Sequence, residues 1–242
     1  LPQYAVERTV HRLGRLPAGD PRDQQYSMRQ AMHLLATPTQ PRPSRYWIAP
    51  KPLDQGDTNT CVGHAWKHYL LAQPFLTKIG PSAFDIYHQA QKVDEWPGEE
   101  PLYYGTSVRA GAKVLSSTMM DAAGKRYSAA VTQYLWSKTI DDTVRWISEH
   151  SGVVVGTNWY DGMFDPDKDG MVHISGNVAG GHAYYLLGYS LTRKAFRGLN
   201  SWGSGWAQGG RFWISFADME RLLKEDGEFC CATEQRVIAS AT

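Results

Sequence analysis

Apolar positions along this chain keep one period up to about residue 150 and another after it. Val62, Ala65, Trp66, Tyr69 and Leu70 fall at i, i+3, i+4, i+7 and i+8, one face of a helix. Thr58, Asn59 and Thr60 stand before it as competent N-caps. Pro74 and Gly80-Pro81 break the chain, and Ser82 with Asp85 has the spacing of a capping box. Ala83, Ile86, Tyr87, Ala90 and Val93 then stripe a second helix. After a loop from Trp96 to Gly105, Val108, Ala112 and Leu115 predict a third helix; Ile140, Val144 and Ile147, capped by Thr139 and Asp142, predict a fourth. Residues 116–138 carry no clear period. From Gly152 the pattern turns extended: 153–155, 183–189, 195–199 and 211–215 read as strands between Gly-rich turns. A short helix over 216–224 and a last strand over 229–238 follow. Helices first and strands second predict an α+β fold of two packed lobes, about 55–150 helical and about 151–242 β, with a cleft between them suited to a substrate.

Residues 1–43 stand apart as an arm. They hold six of the thirteen prolines, and Arg8, Arg12, Arg15, Arg22, Arg29 and Arg42 against three acids. Such a segment is expected to bury little of itself and to run extended over the surface, with a short helix over 28–35. It reads as a structural strap, a pro-segment, or an arm that docks another protein. The domain proper is expected over 44–242. A net charge of +1 gives no reason to expect nucleic acid or an anionic membrane as partner. No apolar run reaches the ~20 residues of a membrane span, and no signal peptide opens the sequence. The opening Leu1 reads as a processed end. Three cysteines cannot build a disulfide framework. Cys230 and Cys231 would point to opposite faces of a strand as small apolar fillers, in keeping with a reducing compartment.

The candidate chemistry starts at Cys61, placed by the caps in the first turn of its helix. Unpaired backbone N–H groups and the positive end of the helix dipole favour an anion there, and a thiolate is the nucleophilic form of cysteine. A lone cysteine in that place is more often a buried core residue. Two later stretches supply partners: Gly180-Gly181-His182-Ala183 opens one strand, and Leu199-Asn200-Ser201-Trp202-Gly203 closes the next. A hairpin centred on Leu191 would set His182 directly opposite Asn200, Cβ atoms ~4.5–5.5 Å apart. Asn200 could then accept the imidazole Nδ1–H and turn Nε2 outward, the arrangement of a nucleophile, a base and a group that orients the base.

Asp54 to Trp66, Gly180 to Tyr189 and Leu199 to Phe212 together resemble the papain-like cysteine peptidases. The matching features are Gln55 ahead of Cys61, the GGHA run with its apolar strand, and NSWGSGWAQGGRF with its second Trp at 206. The resemblance implies the papain-like fold, a helical N-terminal lobe and an antiparallel β-sheet C-terminal lobe with the active site between. It implies Cys61 as nucleophile, His182 as base and acid, and Asn200 orienting His182. Gln55 and the Cys61 N–H would form the oxyanion hole. Trp202 would cover the His182–Asn200 bond, and Gly180 and Gly181 would leave the substrate wall open beside His182. The sequence departs from the family pattern at Thr58, where a second Cys is usual, and at Val62, where an aromatic is usual. No helical inhibitory pro-domain is visible; the run from Arg15-Leu16-Pro17 to Asp23 is similar to bacterial and phage-type members.

The expected function is hydrolysis of peptide or protein substrates through a Cys–His–Asn acyl-enzyme mechanism, with no metal or organic cofactor. The alternatives are another acyl transfer on this fold (amidase, isopeptidase or transglutaminase) and a catalytically idle, virion-associated homologue. The cysteine usage fits a reducing, cytoplasmic compartment, and the similarity to phage-type members implies a phage- or virion-associated location as the alternative. Asp165, Asp167, Asp169 and Gly170 imitate the start of a calcium loop, but Gly176 stands where its bidentate Glu belongs, so Asx turns explain them better. His64 and His68 share a helix face at metal-ligand spacing without a third ligand in view.

Overall fold

The computed structural model describes residues 11–77, 80–95 and 104–233. In chain order its elements are α1 (Met28–Leu34), β1 (Ser44–Tyr46), α2 (Cys61–Leu71), α3 (Ala83–Gln91), α4 (Val108–Leu115), β2 (Met119–Met120), β3 (Arg126–Tyr127), β4 (Tyr134–Ser137), α5 (Ile140–Glu149), β5 (Val153–Tyr160), β6 (Val178–Ser190), β7 (Ala195–Leu199), β8 (Arg211–Ser215), α6 (Phe216–Lys224) and β9 (Glu228–Ala232). The antiparallel sheet runs β4-β9-β5-β6-β7-β8, with β1 added to β6. The mixture of helices and antiparallel sheet is the α+β arrangement that the change of period predicts. Of the expected strand over 229–238, the positions beyond 233 lie outside the described residues, as does most of the loop from Trp96.

Helices α3, α4 and α5 each carry a side-chain cap. The Ser82 hydroxyl accepts from the Asp85 N–H while the Asp85 carboxylate accepts from the Ser82 N–H. Thr139 caps α5 through the Asp142 N–H, and Ser107 caps α4 through that of Ala110. The stretch without a period, 116–138, folds as the β2–β3 pair and as β4, a sheet-edge strand too short for periodicity to reveal. Both faces of β9 are covered, so Cys230 and Cys231 are each fully buried although they point opposite ways.

The arm buries more than its composition suggests. Met28 and Met32, one helical turn apart on α1, are both fully buried and belong to the main core. The Trp136 N–H donates to the Tyr26 carbonyl at 2.7 Å, and Nε of Arg29 meets Asp142 at 3.1 Å. Further along, Arg109 of α4 holds the Ala18 carbonyl and the Asp23 carboxylate in a buried cluster. Average composition hides this anchoring because two apolar residues at helical spacing suffice to dock one helical turn.

Met28→Ala should therefore lower the unfolding free energy by ~2–5 kcal/mol, since it removes a fully buried side chain and leaves a cavity. Leu34→Ala, on a side chain 85% exposed, should change it by less than ~0.5 kcal/mol. Denaturant unfolding of both variants checks this; equal effects would mean that α1 is not docked.

Candidate active site

Cys61 is the first residue of α2, and Thr60 before it makes no side-chain cap bond to the helix backbone. The helix starts where expected, but the side-chain cap expected of Thr60 is absent, so the first-turn N–H groups are left without one. α2 packs against β6, the long strand that carries His182. The backbone N–H groups of Ala183, Gly14 and Val62 are turned to the Cys61 sulfur.

His182 and Asn200 meet, but not in the register expected. Tyr185 pairs with Leu199 and Leu186 with Gly198, and a bulge at Leu187 shifts the pairs nearer the turn. The turn occupies residues 191–194 rather than centring on Leu191, so Asn200 falls opposite Tyr184. A slip of two residues keeps both side chains on one face, and Asn200 reaches His182 along the diagonal. The ring orientation is also the reverse of that expected. Nε2 of His182 lies 2.8 Å from Oδ1 of Asn200, an oxygen that can only accept, so Nε2 carries the hydrogen. Oδ1 also accepts from the Ser201 N–H at 2.8 Å, which fixes the amide. Nδ1 of His182 is buried without a hydrogen-bond partner among the described residues. The indole of Trp202 stacks on His182 at 4.7 Å and Trp159 meets the ring edge-on at 5.0 Å, shutting water away from the His182–Asn200 bond.

Gln55 is held by residues that motif reading missed. Its Oε1 accepts from the Ser201 hydroxyl at 2.6 Å, and its Nε2 donates to the Thr58 carbonyl at 2.6 Å. Ser201 lies inside the NSWG block, so its presence was visible and its partner was not. The second acceptor for Nε2 is the Arg12 carbonyl, at 3.1 Å.

That contact belongs to a larger one: residues 11–16 of the arm run through the cleft. The N–H groups of Gly14 and Arg15 both donate to the Gly181 carbonyl, at 3.0 and 2.9 Å. On the opposite wall, Leu16 N–H donates to Thr106 and Thr106 N–H to Gly14, at 2.9 and 3.0 Å, so Arg15 and Thr106 form a parallel bridge. Nδ2 of Asn59 donates to the Leu13 carbonyl, and the His11 ring stacks on Trp202 at 4.4 Å. Leu13 packs beside Gly180, and a Cβ on Gly181 would lie 2.0 Å from the Arg15 carbonyl oxygen. Only a residue without a side chain lets this strand pass. The wall expected to stand open beside His182 is occupied by the chain itself.

Burial reverses the expected electrostatics. Burial pushes the Cys61 thiol up to about 11, against the opposing pull of the three N–H groups and the Arg15 charge. Burial likewise pushes His182 down to about 4, although the Asn200 bond favours its charged form. Burial thus favours the neutral thiol and the neutral imidazole over their ionised forms.

The remaining sequence candidates have local roles. Oδ1 of Asp167 accepts from the N–H groups of Asp169 and Met171, each at 2.9 Å, and its Oδ2 meets His173, as Asx turns require. Nε2 of His68 accepts from the Leu53 N–H at 3.0 Å, and Nδ1 of His64 bonds back to Thr60. Among the described residues no three His, Cys, Asp or Glu side chains are grouped to hold a metal ion, and no helix is long and apolar enough to cross a membrane.

No family model and no curated protein matches the chain. Solved structures do. Xylellain, a cysteine protease from Xylella fastidiosa, superposes with a TM-score of 0.70 at 20% identity, over 93% of this chain and 96% of that one. Procathepsin L2 from the larval midgut of Tenebrio molitor gives 0.65 at 15% identity, over 93% and 78%. The clostridial cysteine protease Cwp84 gives 0.56 at 16% identity, over 93% and 58%. The chain has the papain-like cysteine peptidase fold.

In the full chain, Cys61 should resist iodoacetamide at neutral pH much as Cys230 and Cys231 do. Gly14→Val should release it, because a Cβ at that position would lie 1.9 Å from the Asn59 carbonyl oxygen. A clash costing ~1–3 kcal/mol shifts the seated arm's equilibrium by ~5–150-fold. Cys61 labelling, read by mass spectrometry of the modified peptides, should rise by that factor while the other two stay protected. Unchanged labelling of Cys61 would show that the arm does not limit access.

Proposed function

We propose that this protein is a cysteine endopeptidase kept latent by its own residues 11–16. The observation that carries the reading is that the cleft holds a peptide. An extended backbone donates to the Gly181 carbonyl and exchanges hydrogen bonds with Thr106, with its Arg12 carbonyl on the Gln55 amide, beside the Cys61 sulfur. A site that grips main chain from both walls is suited to polypeptide substrates rather than to small amides.

The steps follow from the residues present. Once the arm leaves, water enters and the desolvation that keeps the pair neutral is relieved. Nδ1 of His182, the nitrogen not committed to Asn200, takes the proton from Cys61. The sulfur attacks the scissile carbonyl carbon, and the carbonyl oxygen becomes an oxyanion held by the Gln55 amide and the Cys61 N–H. His182 returns the proton to the leaving amine, the C–N bond breaks, and the acyl group remains on sulfur. Water, deprotonated by His182, then attacks the thioester and frees the acid. Asn200 keeps the ring in one tautomer throughout, and Trp202 guards that bond from water.

In the Gly14→Val background, Gln55→Ala should lower kcat by ~10²–10³-fold with little change in KM, the usual worth of one oxyanion donor. Steady-state hydrolysis of a peptide amide whose acylation is rate-limiting measures it. A kcat equal to that of the parent would remove Gln55 from the mechanism.

A further inference from the structure

The arm is held in the cleft by a side chain as well as by its backbone. Arg15 is 3% exposed, and its Nε donates to Oε2 of Glu228 at 2.9 Å, while Nη2 donates to the Asp226 carbonyl. Glu228 opens β9 beside Gly156 of β5 and is itself only 7% exposed. Its second oxygen, Oε1, is buried with no hydrogen-bond partner among the described residues. The room for the arginine comes from a missing side chain. A Cβ on Gly156 would lie 2.9 Å from Cγ of Arg15, 3.0 Å from its Nε and 2.7 Å from Cγ2 of Val108. The pocket therefore has Val108 and Gly156 for walls and a carboxylate at its base. It opens at the residue whose own N–H bonds Gly181, next to His182.

A carboxylate in such a place is costly when unpaired, and burial already pushes Glu228 up to about 7 against the pull of Arg15. The nearest other cation, Arg109, is committed to Asp23 and the Ala18 carbonyl. When the arm leaves, a guanidinium from elsewhere is the group that restores the lost contacts. We propose that Glu228 is a specificity-determining residue, and that the pocket now filled by Arg15 selects an arginine side chain of the peptide substrate. Arginine suits it better than lysine because its planar fork reaches the carboxylate and the Asp226 carbonyl together. A leucine would fill the walls but leave Glu228 unpaired, and sites with buried polar groups discriminate strongly against partners that cannot bond them. This inference rests on the peptidase reading above, so its test must be able to fail separately.

The experiment uses the full chain carrying Arg15→Ala, alone and with Glu228→Gln. The first measurement is thermal melting with N-acetylarginine methylamide or its leucine analogue added. The arginine compound should raise the melting temperature of Arg15→Ala and the leucine compound should not. Glu228→Gln should abolish the difference and, by removing an unpaired buried charge, should itself raise the melting temperature of Arg15→Ala. The second measurement is hydrolysis of fluorogenic tetrapeptide amides with Arg or Leu placed in turn at each position. At one position Arg should exceed Leu by at least about tenfold in kcat/KM. Glu228→Gln should bring that ratio near one through loss on the arginine peptide alone. Hydrolysis without arginine preference, or equal melting shifts with both compounds, would overturn the pocket's role. Hydrolysis of no peptide with an arginine-specific melting shift would instead remove the peptidase reading and uphold arginine recognition by Glu228.

Discussion

The packing of α2 against β6 is the constraint on which the site depends. It brings the uncapped first turn of a helix, with Cys61 at its head, against the strand that bears His182. Behind His182 the strand is buried on both faces, and Trp159, Trp202, Trp206, Tyr184 and Phe212 form a continuous aromatic cluster under the ring. In that dry setting the His182–Asn200 hydrogen bond has no water to compete with it, so it holds one tautomer firmly. The same dryness disfavours charge.

Two opposing tendencies therefore meet at Cys61. The helix start and the surrounding N–H groups favour a thiolate, while complete burial favours the thiol. With the arm seated, burial wins. The rise of Cys61 to about 11 and the fall of His182 to about 4 are each worth on the order of 3 kcal/mol against the ionised pair. The seated arm has two physical effects: it fills the cleft, and the filling removes solvent that charge separation needs.

The arm is anchored both within the cleft segment and just after it. Arg15 reaches inward to Glu228, and a few residues later Arg109 reaches outward to Ala18 and Asp23. Buried ion pairs of this kind contribute little net stability compared with apolar packing, since each costs desolvation. Here they set the register in which the arm crosses Gly181 and Thr106. The apolar anchoring comes from Met28 and Met32 further on, so strap and cleft occupant are successive parts of one segment.

By itself the sequence determined what local rules govern: the helix starts at Ser82, Thr139 and Cys61, the change of period near Gly152, and the residue types gathered at the cleft. Those depend on spacing and side-chain chemistry within a few residues of each other. Tertiary structure decided the rest. The diagonal approach of Asn200 to His182 arises from a bulge at Leu187 and a displaced turn, and hydrophobic alternation cannot register a slip of two residues because the face is unchanged. The choice of Nε2 over Nδ1 followed from that approach. The pairing of Arg15 with Glu228 joins opposite ends of the chain, and nothing in the neighbourhood of either residue marks the other. The neutral state of Cys61 was equally hidden. A titrating group responds to the solvent it has lost, and only the folded chain, with the arm laid across the cleft, sets that loss.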